Sequence, residues 1–243
     1  SFNLAVANGR PTGSGPVVEG LKNVEELEKR KGIAAILSDE LGIENVRILN
    51  DGDALALWAA VRGNAPQTLA LALGTGLAGG YSDQARRVRD YLTEMGNVVL
   101  GVEAGALKHS FSKTPGAAQM YLSQRITFKL AEDLGIDLSG IKEEAEKLKE
   151  LQKLYEQGDE RAKEIFGRVG YYVGEYIIYM QGVLPIEHVY LAGRVLDKDS
   201  GQYVLEVAKK HLVQRNVGIA IRVPPDVEFA QAEGAAIFAA AGE

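Results

Sequence analysis

The stretch from Arg47 to Ser82, RILNDGDALALWAAVRGNAPQTLALALGTGLAGGYS, restricts the fold more than any other part of the chain. Val46 to Leu49 is short and apolar and reads as a buried strand. Asn50-Asp51 follows. The segment from Asp53 to Val61 then has apolar residues on almost every side, which predicts a buried helix closed at Gly63. Thr68 to Leu73 is a continuous apolar strand running into a Gly-rich loop, Gly74 to Gly80. A carboxylate between a strand and a helix N-terminus meets the positive end of the helix dipole and backbone amides, so Asp51 is expected to stay ionised. Backbone donors at a Gly-rich turn can hold an anion. Each feature also has a plainer reading: Asp51 as a helix N-cap, and the glycines as a tight turn with positive φ.

Gly74, Gly76 and Gly79 match G-x-G-x-x-G, the dinucleotide fingerprint, which requires a helix to open directly behind the loop. Here Gly80-Tyr81-Ser82-Asp83 continues as a strand, and no G-K-[ST] follows, so neither a Rossmann nor a Walker loop fits. What remains is a Gly-Thr-Gly hairpin.

The rest of the chain alternates helix and strand signals, the punctuation of an α/β fold. Phe2 to Ala7 reads as a strand, Asn8 to Gly15 as loop, and Asn23 with Glu26 as a helix cap leading, through a break near Gly32, into IAAILSDEL and Gly42. Gly101 to Gly116 is loop chemistry. Helices are expected over Ala118 to Leu134, Ile141 to Tyr155, from Asp159 to about Gly182, from about Gly201, and over Phe229 to Ala241. Strands are expected over His188 to Ala192 and near Val217 to Val223. In the longest helix, Val173 and Ile177 are expected in the core, with Gly170 and Gly174 allowing close approach. Tyrosines around them (Tyr171, Tyr172, Tyr176, Tyr179) suit in part a homodimer surface.

The 243 residues suffice for two lobes with their own cores. A net charge of -6 argues against a nucleic-acid surface. No apolar run is long enough to span a bilayer, and no leader is recognisable, so a cytoplasmic location and no membrane partner are expected. With no cysteine, a thiolate metal site is out, and His109, His188 and His211 have no partners at metal-ligand spacing.

N-D-x-x-A-x-A-L (Asn50 to Leu57), LALGTGLAGG, Glu94-Met95-Gly96-Asn97, Val189-Tyr190-Leu191-Ala192-Gly193 and GAA in the last helix (Gly234 to Ala236) occur in this order and spacing. Together they resemble the ROK family of bacterial-type glucokinases, related sugar kinases and sugar-responsive repressors. The resemblance implies a two-lobed ribonuclease-H-like α/β fold of the actin and hexokinase type. Substrate and nucleotide are expected in the cleft, with residues 1–93 in an N-terminal lobe and 94–243 in a C-terminal lobe. It implies ATP and Mg²⁺ as cofactors and phosphorylation of a sugar hydroxyl, with Asp51 as the base. Asn50, Glu94, Asn97 and Gln119 are the implied sugar contacts. Gly74, Thr75 and Gly76 match the second phosphate loop, and Gly193 the glycine at the adenosine site.

The sequence departs from the pattern in four places. Asn97 stands for the histidine of E-x-G-H. GAAQMYLS (Gly116 to Ser123) has Ala117 where a cysteine of the family's zinc segment belongs, so no zinc is expected. Gln119 replaces a sugar-binding glutamate; Asn and Gln still hydrogen-bond hydroxyls. The first phosphate loop, D-x-G-G-T, occurs nowhere in the chain, which suggests either an N-terminally shortened kinase or a relative that has lost phosphoryl transfer. The alternative function is therefore a non-catalytic sugar-binding regulator.

Overall fold

The computed structural model describes residues 5–7, 10–12, 33–89, 94–101, 103–109 and 112–241. The chain divides into two compact units. The first comprises residues 1–70, 79–94 and 225–243, and the second 71–78 and 95–224. In chain order the elements are β1 (Ala5–Ala7), β2 (Arg10–Thr12), α1 (Ile33–Leu41), α2 (Asp51–Arg62), β3 (Thr68–Leu73) and β4 (Leu77–Ser82). Then come α3 (Gln124–Asp133), α4 (Glu144–Glu156), α5 (Glu160–Gln181), β5 (His188–Ala192), α6 (Lys198–Gln214), β6 (Ala220–Arg222) and α7 (Ala230–Ala240). Strands β4-β3-β5-β6 form one sheet in that order, with β5 and β6 parallel; β1 pairs antiparallel with β2.

In the first unit, α2 is buried from Gly52 to Ala60, as its all-round apolar composition predicts. Helix α7 lies directly on it: a Cβ on Gly234 would overlap the carbonyl of Ala54. Glu233 fixes this packing by accepting from Trp58 Nε1 at 3.1 Å and from Arg62 Nη2 at 2.8 Å. The Arg62 pair is solvent-facing and worth at most about 1 kcal/mol; the backbone contact at Gly234 sets the approach.

In the second unit, α5 is the central helix. Asp159 caps it, its carboxylate accepting from the amides of Arg161 at 2.8 Å and Ala162 at 3.4 Å. Ile165, Phe166, Val169, Val173 and Ile177 are fully buried, so the expected core stripe is borne out. Gly170 and Gly174 let α6 approach; a Cβ on Gly174 would stand 2.8 Å from the His211 ring. Tyr176 is buried with these residues, and its hydroxyl donates to the carbonyl of Met95 at 3.0 Å. Tyr171 and Tyr179 are exposed.

Several local expectations need correction. Residues 46–49 form no strand ladder among the described residues, although Ile48 and Leu49 are buried. An apolar run reports burial, not pairing. Strand β4 begins at Leu77, so the Gly-rich loop is only Gly74 to Gly76. Glycine composition suggested a longer loop, yet Gly79 and Gly80 lie within the strand, for a packing reason given below. Arg10–Thr12 is strand where loop was expected. The segment from Ala118 opens as a 3-10 turn, Ala118–Met120, before α3 starts at Gln124. The cap expected at Asn23 and Glu26 lies outside the described residues.

Candidate functional site

In the first unit, two carboxylates and an amide meet at the start of α2. Asn50, not Asp51, is the N-cap: it has extended backbone (φ -64°, ψ 147°) and its side-chain oxygen accepts from the amides of Gly52 at 2.9 Å and Asp53 at 3.4 Å. Asn50 is 5% exposed, and its amide nitrogen donates to Glu94 Oε1 at 3.1 Å. One side chain thus uses its acceptor on the helix and its donor on a carboxylate. Asp51 sits one residue into the helix, with Oδ1 accepting from the Gly52 amide at 2.9 Å. Since the cap is already supplied, the plain N-cap reading of Asp51 falls away.

Burial pushes the Asp51 carboxyl above its ordinary range, and the Gly52 amide only partly offsets this. Desolvation therefore outweighs the amide and dipole stabilisation expected from its position. Burial also raises Glu94, the Asp51 charge adds to that, and the Asn50 hydrogen bond opposes it. Two desolvated carboxyls held close are well suited to accept protons from hydroxyls.

Glycines bring the backbone of α2 onto β4. A Cβ on Gly52 would overlap the carbonyl of Gly79, and one on Gly80 would overlap the carbonyl of Gly52. None of Gly74, Gly76, Gly79 and Gly80 has positive φ, so close approach, and not turn conformation, is why Gly80 is a glycine.

In the second unit, the β3–β4 turn Gly74-Thr75-Gly76 is closed by Gly74 N–H donating to Gly76 O at 3.0 Å. Thr75 is exposed at its tip. Gly193, with φ +104°, packs on the end of β3, where a Cβ would overlap the Leu73 carbonyl. It therefore adjoins the loop, and only glycine fits both the conformation and the space. Gly96, in the turn Met95–Asn97, passes under Leu77 and beside Gln119, and a Cβ there would be 3.4 Å from Gln119 Cβ. Asn97 is exposed and Gln119 half-buried, the latter beside Gly76. The fold thus gathers Gly74, Thr75, Gly76, Asn97, Gln119 and Gly193 around one turn of the second unit. Asn50, Asp51 and Glu94 cluster in the first.

Two further residues were not read from the sequence. Gln124, buried at the start of α3, donates through Nε2 to Thr75 Oγ1 at 3.3 Å and to Glu144 Oε2 at 2.9 Å, and its backbone amide donates to Gly74 O at 2.9 Å. It buttresses the Gly-Thr-Gly turn from behind. The other is His109, in a stretch of loop composition. A lone Gln in the first turn of a helix and a His in a loop carry no sequence signal for either role. Among the described residues, no three His, Asp or Glu side chains are grouped to hold a metal ion.

The α/β fold, with its mixed sheet and flanking helices, is of the ribonuclease-H-like type found in actin and hexokinase. The ROK family model matches residues 21–241, and the chain belongs to the ROK family. A ROK hexokinase from Thermus thermophilus superimposes with TM-score 0.69 at 22% identity, over 84% of this chain and 68% of that one. A ROK glucokinase from Streptomyces griseus, solved with glucose and AMPPNP, gives TM-score 0.69 at 21% identity, over 87% and 73%. A ROK transcriptional regulator, a homologue of the E. coli MLC protein, gives 0.67 at 16%, over 86% and 55%. No curated protein sequence matches the chain. No helix among the described residues is long and apolar enough to cross a membrane.

Proposed function

We propose that the protein transfers the γ-phosphoryl group of ATP to a sugar hydroxyl, with Asp51 as general base. The observation that carries this reading is the Asn50–Asp51–Glu94 cluster. Asn50 takes the capping role and holds Glu94, leaving a half-buried carboxyl at Asp51 with no capping duty. A base must be ionised yet willing to take a proton, and a carboxyl lifted by desolvation meets that need better than a solvated one. Glu94 and Asn50 orient the sugar by accepting from and donating to its hydroxyls. Asn97 and Gln119 add neutral contacts of the same kind.

The amides of Thr75 and Gly76 hold phosphate oxygens, while the Gly74 N–H closes the turn and Gln124 keeps it in shape. Gly193 lets the adenosine end approach the backbone. ATP with Mg²⁺ supplies the phosphoryl group and neutralises its charge.

Similarity to the ROK transcriptional regulator keeps a second reading in play, a sugar-binding regulator without phosphoryl transfer. One experiment separates the two. Glucose, mannose and N-acetylmannosamine are titrated calorimetrically with and without AMPPNP and Mg²⁺, and ADP release from ATP is followed with each sugar. Sugar-dependent ADP release supports the kinase. Sugar binding with no ADP release and no AMPPNP binding supports the regulator, and no sugar binding at all refutes both.

A further inference from the structure

Residues 107–109 and 112–116 are tied to each other: Gly116 N–H donates to Leu107 O and His109 N–H to Thr114 O, both at 2.9 Å. The His109 side chain turns inward and is 7% exposed. Its Nδ1 receives the backbone N–H of Ser112 at 2.9 Å, with Ser112 Oγ at the same distance. Its Nε2 meets the side-chain amide of Gln119.

These contacts determine the proton positions. A backbone N–H can only donate, so Nδ1 must present a lone pair. A neutral imidazole has one acceptor nitrogen and one N–H, so the proton is on Nε2. As placed, Gln119 directs its Nε2 at that same ring nitrogen, which would set donor against donor. Amide oxygen and nitrogen are told apart only by their hydrogen-bond partners, so the end of Gln119 facing the ring is Oε1. The other end, beside Gly76, is then the NH₂ group.

We propose that His109 is a positioning residue: it holds Gln119 by its amide oxygen and turns the NH₂ toward Gly76, so that this corner of the site offers donors to an acceptor oxygen of the ligand. The proposal rests on the reading of Gln119 as a sugar contact. Where the family pattern has a glutamate, which only accepts, this chain presents the opposite polarity, and His109 fixes it. The surroundings keep the ring neutral. Burial is the largest effect lowering its proton affinity, and Arg125 and Lys113, the cations facing it, act in the same direction, while the Gln119 contact opposes them. Protonation would put a hydrogen on Nδ1 against the Ser112 N–H and open the latch.

Long-range ¹H–¹⁵N spectra of the full chain, which has three histidines, read the ring directly. His109 is expected to be neutral at pH 7 with its proton on Nε2, titrating below the ordinary histidine range. Gln119→Glu should keep the Nε2 proton and move the titration upward, because a carboxylate accepts the same bond and favours the imidazolium. A ring protonated on Nδ1, or a titration unmoved by Gln119→Glu, overturns the proposal. Calorimetry with glucose, the sugar bound in the Streptomyces griseus neighbour, supplies the second arm. His109→Phe that retains the wild-type circular dichroism should bind glucose about tenfold more weakly, the loss of roughly one hydrogen bond. Unchanged affinity overturns the positioning role. If wild-type protein binds no glucose while the spectra are as expected, the ligand half of the proposal fails with the sugar reading, and the ring-to-amide geometry is upheld.

Discussion

Replacing Asn50 with alanine removes two functions of one side chain, and the structure lets their sizes be worked out. Its oxygen accepts from the amides of Gly52 and Asp53, and loss of such a cap costs about 0.5–2 kcal/mol. Its nitrogen donates to Glu94 Oε1, and a half-buried carboxylate left without that donor costs about 1–3 kcal/mol more. The sum is about 1.5–5 kcal/mol. At roughly 2–4 °C per kcal/mol for a chain of this size, the thermal midpoint at pH 7 should fall by about 3–20 °C. Asn50→Asp separates the two functions. It keeps a capping oxygen but sets a third carboxylate beside Asp51 and Glu94. Its deficit should be large at neutral pH and shrink as the pH falls into the carboxyl range, whereas the Asn50→Ala deficit should persist there through the lost cap. Circular-dichroism melts of both variants between pH 4 and pH 8 read this out. An Asn50→Ala midpoint within a degree of wild type, or an Asn50→Asp deficit independent of pH, would refute the capping argument.

Three further outcomes follow from single contacts. Gly193→Ala meets both a left-handed backbone and the Leu73 carbonyl, so it should lower stability by at least about 1–3 kcal/mol and weaken AMPPNP binding in calorimetry. Asp159 is held down to about 2 by the Arg161 side chain and the amides it caps. Its stabilisation is fully present above the ordinary aspartate value of 3.8 and is lost as the pH drops toward 2. Acid titration of stability should show that loss in wild type and not in Asp159→Asn, which caps without titrating. Tyr176→Phe strands the buried Met95 carbonyl and should cost about 1–3 kcal/mol by urea denaturation; it should also loosen the turn carrying Asn97.

How much of this was legible in the sequence depended on whether a local signal had one meaning. Thr68–Leu73 and His188–Ala192 were read at their observed bounds because each is an apolar run closed by glycine. The core stripe of α5 was equally clear, since helical periodicity and burial agree there. Residues 46–49 misled because burial and pairing share a composition. The Gly79-Gly80 pair misled because glycine in a sequence signals a turn, while at Gly80 it marks a helix backbone pressed against a strand. Both Asn50 and Asp51 are good caps by type, and only the backbone angles show which one caps. The His109–Gln119 contact depends on a loop closure with no local signature. The family motifs brought the candidate residues forward. The geometry added what the motifs do not hold, namely the division of labour between Asn50 and Asp51 and the polarity of Gln119.

The central claim is that Asp51 accepts the proton of a sugar hydroxyl. Its most direct test is Asp51→Asn, measured for turnover, sugar affinity and thermal midpoint beside wild type. Asparagine keeps the size and leaves the Asn50 cap intact, but it cannot take the proton. The account predicts a fall in kcat of about 10²–10⁴-fold with sugar affinity within a few-fold of wild type. It also predicts a thermal midpoint at pH 7 above that of wild type. A carboxyl with a raised folded-state value weakens the fold once the pH is above that value, and the penalty vanishes below the unfolded-state value. The gain in midpoint should therefore disappear as the pH is lowered through the ordinary aspartate range. A folded Asp51→Asn protein that phosphorylates sugar at the wild-type rate would contradict the account.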